Sequence, residues 1–222
     1  MAGGKVLPHP RRQTNFSQVQ TEPQKSCDRQ DLIHPLTSIL DRLDLSRLFF
    51  RKQPLEVELG SGDGSFLVDY AKRHPDRNFI GVERLLGRIR KLDRKGRRAG
   101  LANLRGVRIE SAYFLRYLLP VRSTSTLHIY FPDPWPKRKH RRHRLINEQF
   151  PSLAHSVLEP GGQVYLRTDH PDYFQQMAAV FDGCADFAKE ETPDELASLM
   201  TDFERDFSAR GIKTLRAAYR AR

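Results

Sequence analysis

Between Leu55 and Arg167 five short apolar segments alternate with four stretches of helical periodicity, and this alternation restricts the fold more than any other feature of the chain. Leu55 to Leu59, Asn78 to Val82, Leu104 to Ile109, Thr126 to Phe131 and Gln163 to Arg167 read as strands. Ser65 to His74, stopped by Pro75, and Arg84 to Arg98, with Leu85, Ile89 and Leu92 on one side, read as helices. A third helix is expected around Tyr113 to Leu119. A fourth follows the stripe Ile146, Phe150, Leu153 and Val157, interrupted or restarted at Pro151, before a turn at Pro160-Gly161-Gly162. Strands separated by helices pair in parallel through right-handed crossovers, so the expected fold is α/β, a Rossmann-like, mostly parallel open sheet with helices on both faces. Ligands of such sheets sit at the carboxyl ends of the strands.

The flanks are less regular. Residues 1–30 contain few apolar side chains and Pro8, Pro10 and Pro23, and are expected to form a flexible arm ahead of one domain over 31–222. Pro35 to Phe50 approximates helical spacing through Leu36, Ile39, Leu40, Leu43 and Leu48. Thr201 to Arg210 reads as loop then short helix, and Ile212 to Tyr219 as a last strand.

A chain of 222 residues with 38% hydrophobic content can bury a real core. No apolar run approaches the roughly 20 residues that span a bilayer, so no membrane partner is expected. Cys27 and Cys184 give neither a disulfide framework nor metal-ligand spacing, which suggests a reducing, cytoplasmic setting without a metal. The net charge of +11 is concentrated: Arg84 to Arg105 holds nine Arg or Lys against Asp93 alone, and Lys137 to Arg144 adds six. Those two segments exceed the whole excess, which argues for a directed cationic surface facing a polyanion, nucleic acid first among them.

Two motifs lie at strand ends. Glu58-Leu-Gly60-Ser-Gly62-Asp-Gly64 closes the first strand with glycines that let a ligand approach the backbone. Its spacing departs from the dinucleotide fingerprint, and a carboxylate there suits a cationic cofactor better than a pyrophosphate. Glu83, ending the second strand, can accept both ribose hydroxyls of an adenosine, or else cap a helix or pair with Arg84 or Arg88. After the fourth strand, Phe131-Pro-Asp133-Pro-Trp135-Pro-Lys137 must be a held loop, because three prolines in five residues exclude helix and central strand. The run Arg138-Lys139-His140-Arg141-Arg142-His143-Arg144 follows directly. The loop therefore couples a carboxylate and an aromatic ring to a phosphate-binding string.

From Pro54 to Tyr219 the chain resembles the tRNA (guanine-N7-)-methyltransferase family in its single-chain bacterial form. The resemblance rests on Phe131-Pro-Asp-Pro-Trp-x-Lys with the basic run, on Arg167-Thr168-Asp169, and on Thr201-x-Phe203-Glu204. It implies a class I fold dependent on S-adenosylmethionine and methylation of N7 of a variable-loop guanosine in tRNA, by a chain expected to be a monomer. By the same resemblance Glu58, Gly60, Gly62, Glu83, Ser111 and Asp133 hold the cofactor, with Asp133 the catalytic carboxylate. Lys137, Asp169, Thr201, Asp202, Phe203 and Glu204 contact the substrate, and Lys139, His140, Arg141, Arg142, His143 and Arg144 meet the RNA. Two positions depart from the family pattern. Ser111-Ala112 replaces Asp-Ala, which leaves an acceptor for the adenine amino group but removes its charge; Asp202 stands where a basic residue is common.

The chemistry is consistent with these residues. Guanine N7 carries an in-plane lone pair, so no strong base is needed and catalysis becomes chiefly positioning. A carboxylate can stabilise the charge that methylation places on the base, and can accept from guanine N1–H and N2–H. Asp133 and Asp169 are the candidates for those two roles. Trp135 either stacks on a base or wedges the loop in place; Lys137 either pairs with a carboxylate or touches substrate. Two other readings stand beside this one. An amino-group methyltransferase would carry Asp-Pro-Pro-aromatic where this chain has Asp-Pro-Trp-Pro, and a non-catalytic RNA-binding protein would have lost acids that are here present at Glu58, Glu83 and Asp133.

Overall fold

In the computed structural model of the protein, which describes Met1, Gly3 and residues 31–222, seven strands form one sheet in the order β3-β2-β1-β4-β5-β7-β6. The strands are β1 (Leu55–Leu59), β2 (Asn78–Val82), β3 (Leu104–Val107), β4 (Thr124–Tyr130), β5 (Leu158–Thr168), β6 (Phe187–Glu190) and β7 (Leu215–Ala221). The first five are parallel, and β7 runs antiparallel between β5 and β6. The expected Rossmann-like α/β sheet is present, extended by an antiparallel edge pair. The expected arm, residues 1–30, lies outside the described residues apart from Met1 and Gly3.

Helices cover both faces. α2 (Ser65–Arg73) and α3 (Leu86–Arg98) pack Phe66, Leu67, Tyr70, Ile89 and Leu92 on one side, joined by Leu196 of α7 (Asp194–Ser198). The other side holds α4 (Ser111–Tyr113) with the π-helical turn Phe114–Leu118, then α5 (Phe150–Val157) and α6 (Pro171–Asp182). Because side chains alternate along a strand, Val57 faces the second layer while Glu56 and Glu58 lie under the first, beside His128 and Tyr130 of β4. The polar groups of this interior are thus collected on one face of the sheet.

Two expectations change. Pro35 to Phe50 is not a helix; only α1 (Leu45–Leu48) forms, and Leu40 is 82% exposed. Ser38 Oγ accepts from the amides of Leu40 and Asp41 and diverts the backbone into a turn, and the Asp44 carboxylate accepts from Ser46 N as the N-cap of α1, so the helix begins only there. The turn at Pro160-Gly161-Gly162 belongs to β5, which begins at buried Leu158 opposite Thr124 and takes a register shift before Gln163. Gly161, at φ +77, absorbs that irregularity. α6, β6 and α7 were not expected from the sequence.

α8 (Asp202–Ala209) is tied to the sheet by a buried ion network. Arg167 of β5 donates to Glu204 Oε2 (2.8 Å), to the carbonyl of Leu199 (2.9 Å) and to that of Leu196, and lies over the Tyr130 ring at 4.1 Å. Arg216 holds the other Glu204 oxygen at 2.8 Å. Replacing Arg167→Leu would leave the buried Glu204 carboxylate to Arg216 and the amide of Thr201 and would unpair two carbonyls, and urea unfolding is expected to show a loss of about 3–5 kcal/mol; a loss under about 1 kcal/mol would mean that the network adds little.

Candidate active site

Four adjacent strands bring their carboxyl ends to one edge, and each delivers an acid or a glycine turn there. At the end of β1, Gly60, Gly62 and Gly64 all adopt left-handed φ, of +79, +56 and +75. A Cβ at Gly64 would stand 2.7 Å from Leu92, whereas at Gly60 and Gly62 the space is open. The inner glycine therefore serves helix packing and the outer two leave room for a ligand. The amides of Gly60 and Ser61 donate to the carbonyl of Val82 (2.8 and 2.9 Å), fixing the turn to β2.

Glu83, at that end of β2, accepts from Gly62 N (3.2 Å) and Leu85 N (2.7 Å), with Arg88 at 3.9 Å. The ion-pair alternative with Arg88 is thus realised, whereas α3 takes its N-cap at Leu85 without a side-chain cap, and each Glu83 oxygen keeps lone-pair capacity for a hydroxyl. Asp63 pairs with Lys95 (2.7 Å), whose ammonium also lies 3.9 Å from Asp202. This places the start of α8 beside the glycine turn. Burial pushes the Asp63 carboxyl up, but hydrogen bonds from Lys95 and Ser65 outweigh it and hold it below the ordinary range. Ser111 lies half-buried at the first turn of α4, where Glu110 accepts from the amides of Ala112 and Tyr113.

Glu58 is the exception among these acids. It is 4% exposed, and its Oε2, like Ser61 Oγ, is buried without a hydrogen-bond partner. Its neighbour on the same face, Glu56, is met by His128 Nε2 (2.6 Å) and Arg77 (2.6 Å). Burial of Glu58 raises its pKa to about 8; Arg167 opposes the rise, while Asp63 and Glu83 add to it. An unsatisfied buried acid is costly and is met when a cationic or hydrogen-bonding ligand arrives.

Beyond β4 the chain turns through Phe131 (φ +52) and Trp135 (φ +41), left-handed values that non-glycine residues rarely hold. Phe131 N donates to Arg167 O at 2.8 Å, and the Phe131 ring packs 5.6 Å from Phe207 and 6.2 Å from Phe203. Arg144 holds the loop from the other side. Its Nε donates to the carbonyl of Pro134 (2.7 Å), its terminal nitrogens to Gln176 and Asp172 (2.7 Å each), and its guanidinium lies 4.6 Å from the centre of the Tyr173 ring. Asp133 between these clamps is exposed.

This corrects the expectation for Arg144, which is 2% exposed and braces the loop rather than facing RNA. Lys137, Lys139, Arg142 and His143 are exposed on or beside a 3₁₀ turn over Arg138–His143; Arg141 is exposed but pairs with Asp172 at 2.9 Å. Trp135, 37% exposed, lies against His143 (5.3 Å) and His140 (6.0 Å). Asp169 follows the end of β5, half-buried. Thr201 and Glu204 depart from a direct substrate role, because they form the reciprocal cap of α8 and Glu204 is 1% exposed within the Arg167 network. Asp202 and Phe203 remain on the surface. Residues missed in the sequence are Asp172, Tyr173 and Gln176 of α6, and Lys95. The signal for α6 was present as His170-Pro171-Asp172 followed by Tyr173, Met177 and Phe181 at helical spacing.

A raised Glu58 pKa makes the free protein progressively less stable as pH climbs from the unfolded carboxyl value, near 4.5, through about 8, since across that window the unfolded chain releases a proton that the folded state keeps in its dry site. Glu58→Gln removes that ionisation. Its melting temperature relative to the unsubstituted protein is expected to rise between pH 5 and pH 8 in thermal scans; a pH-independent difference would contradict an orphaned acid.

The chain matches a family model described as putative methyltransferase over residues 52–217. It is 34% identical to the tRNA (guanine-N(7)-)-methyltransferase of Thermotoga maritima over 173 residues, 78% of this chain and 55% of the relative. It is 32% identical to that of Alkalilimnicola ehrlichii over 171 residues (77% and 72%) and 34% to that of Geobacter metallireducens over 151 residues (68% and 72%). The chain spans little more than half the length of the Thermotoga maritima relative. Among solved structures, the 16S rRNA methyltransferase KamB aligns with TM-score 0.56 at 18% identity, covering 80% of this chain and 92% of that one. A SAM dependent methyltransferase from Aquifex aeolicus aligns with TM-score 0.53 at 10% identity, covering 80% and 87%. These two likenesses speak for the fold, and the extent of the family match together with the Alkalilimnicola and Geobacter relatives decides membership: the chain belongs to the tRNA (guanine-N(7)-)-methyltransferase family.

Proposed function

We propose that the protein methylates N7 of a guanosine in the variable loop of tRNA, using S-adenosylmethionine, in the cytoplasm. The observation that carries this reading is the pairing, on neighbouring strand ends, of a buried acid without a partner, Glu58, and an exposed acid on a clamped loop, Asp133. The residues at the glycine turn fit the cofactor: Glu58 Oε2 and Ser61 Oγ are unmatched, the outer glycines leave open space, and Glu83 is oriented by backbone amides with acceptor capacity to spare. Glu58, Gly60, Gly62, Glu83 and Ser111 would hold it. When bound, S-adenosylmethionine supplies a methyl group on a positively charged sulfur.

The protein's own contribution is placement. Asp133 projects from a loop whose two ends are fixed by Phe131 and Arg144, so its carboxylate can meet a guanine without reorganising. Alignment of this kind is worth on the order of 7–11 kcal/mol when attack geometry is good. Asp169, one strand further along the edge, is the second carboxylate available to the base. Lys137, Lys139, Arg142 and His143 supply exposed donors for phosphates beside it. A merely RNA-binding role would leave the cost of burying an unpaired Glu58 without return, which favours the enzymatic reading.

Nucleoside mass spectrometry of unmodified tRNA incubated with the protein and labelled S-adenosylmethionine is expected to show N7-methylguanosine, and label on any other atom would overturn the assignment. Asp133→Ala should lower methyl transfer on the order of 10²-fold or more while leaving tRNA affinity within about threefold; equal loss of both would make the loop a binding element. Arg144→Gln should also cut transfer by roughly 10²-fold, by loosening Asp133. Because its charge is already enclosed, the salt dependence of tRNA binding is expected to stay unchanged, and a flatter slope would return Arg144 to the RNA interface.

A further inference from the structure

Arg88 and Lys95 of α3 meet acids at the glycine turn, but the other exposed cations of this basic segment have no part in the site described above. The inner face of α3 buries Ile89, Leu92 and Gly96. Its outer face and the residues beside it expose Arg84, Arg88, Arg90, Lys91, Arg94 and Arg98. Among the described residues, Lys95 and Arg97 have carboxylate partners at 2.7 Å or closer, and Arg88 reaches Glu83 only at 3.9 Å. Arg84, Arg90, Lys91, Arg94 and Arg98 have no carboxylate within ion-pair distance among those residues.

Two features make this stripe unfavourable by itself. Like charges three or four residues apart, as at Arg90 and Arg94, Lys91 and Arg94, or Arg94 and Arg98, repel on a helix surface. The first turn of α3 carries Arg88 and no acid of its own, so only Glu83, from the end of β2, offsets the helix dipole there. The single acid within α3, Asp93, is occupied by the amide of Leu32 at 2.8 Å. Among the described residues no carboxylate pairs with Arg84, Arg90, Lys91, Arg94 or Arg98, while the inner face of α3 is anchored by Ile89, Leu92 and Gly96.

Position supplies the other half of the argument. α3 starts at the carboxyl end of β2 and runs back along the sheet until Gly96 meets Leu104 at the start of β3, while the Arg138–His143 turn follows the carboxyl end of β4, so the beginning of α3 and that turn flank β1 and its glycine turn. Arg108, exposed beyond β3, reaches the carbonyl of Arg84 at 3.3 Å and continues the charge toward that edge. A helix of 13 residues is about 20 Å long, the scale of several successive phosphates rather than of one small anion. We propose that the outer face of α3, through Arg90, Lys91, Arg94 and Arg98, is a second RNA-binding surface that grips the phosphate backbone of the tRNA outside the loop carrying the target base. The inference rests on tRNA being the substrate. An anionic membrane fits less well, since the exposed face of α3 interleaves no aromatic rings among its cations.

The test compares the full chain with its Arg90→Gln, Lys91→Gln, Arg94→Gln triple variant, none of these residues touching the cofactor turn or the Pro-rich loop. Binding of an unmodified tRNA transcript is followed by fluorescence anisotropy from 50 to 200 mM salt. Each lost phosphate contact removes roughly 0.7–0.9 from the slope of log affinity against log salt, so a fall of about 2 or more is expected. At about 100 mM salt, weakening should reach tenfold or more. Circular dichroism and the heat of S-adenosylmethionine binding should be unchanged. An unaltered slope and affinity overturn the proposal, as does a variant that loses only the binding of phosphatidylserine vesicles or of an acidic protein. If the unsubstituted chain binds the transcript but methylates no guanosine, the activity falls while the RNA surface stands; if it methylates and the variant binds equally well, the surface falls alone.

Discussion

The guanidinium of Arg167 is the interaction on which the candidate site depends. It leaves β5 at the polar face of the sheet, where it meets Glu204, two main-chain carbonyls from the α7 region and the face of Tyr130. A charge so buried is tolerable only because each of its directions finds an acceptor or a π face. Its backbone carbonyl also receives Phe131 N, the first amide of the Pro-rich loop. One residue thus sets where the loop starts, where α8 lies against the sheet, and how much positive potential reaches Glu58. Arg216 completes the neutralisation of Glu204, so that the C-terminal strand takes part in holding the same centre.

The two acids of β1 show how burial alone fails to identify a ligand-binding carboxylate. Glu56 and Glu58 are both nearly inaccessible and point the same way, yet burial pushes each up with opposite results. At Glu56 the hydrogen bonds and charges of His128 and Arg77 outweigh desolvation and hold the carboxyl below its usual range. At Glu58 no such partner exists, and the acid is neutral through much of the pH range in which the protein would work. Arrival of a cation beside Glu58 favours its charged form, so binding and proton release are linked at this residue. The pattern Leu-Glu-Val-Glu-Leu announces two inward acids, but the partner that separates them arrives from residues 21 and 72 positions away.

That distinction describes what was legible in the sequence. Period-two and period-3.6 patterns, read with Gly and Pro, place β1, β2, α2 and α3 almost to the residue, since these signals are local and point the same way as the tertiary contacts. Residues 35–50 mislead because apolar spacing competes with Ser38 and Asp44, whose side chains capture nearby amides. Glu204 and Thr201 sit in a motif whose chemistry looks external, but a capping box and a buried ion pair use the same residue types. Whether a polar side chain faces in or out at such a position is decided by Arg167, 37 residues earlier, and no local rule contains that information.

The basic run after the Pro-rich loop shows the same ambiguity within eight residues. A string of cations reads as one electrostatic element, but the structure divides it by function. Arg144 turns inward, replaces the hydration of its guanidinium with Pro134, Gln176, Asp172 and the Tyr173 ring, and so converts a flexible proline turn into a fixed one. Arg141 shares Asp172 with it, at a site where the hydrogen bond from Arg144 holds that carboxyl below its usual value. Arg141 is therefore tethered near the protein surface, while Lys139, Arg142 and His143 remain exposed to meet phosphates. Rigidity of the loop and grip on the polyanion then come from neighbouring residues of one segment. Removing charge along the whole run would combine loss of placement with loss of binding, and only substitutions that respect this inward and outward division can separate the two.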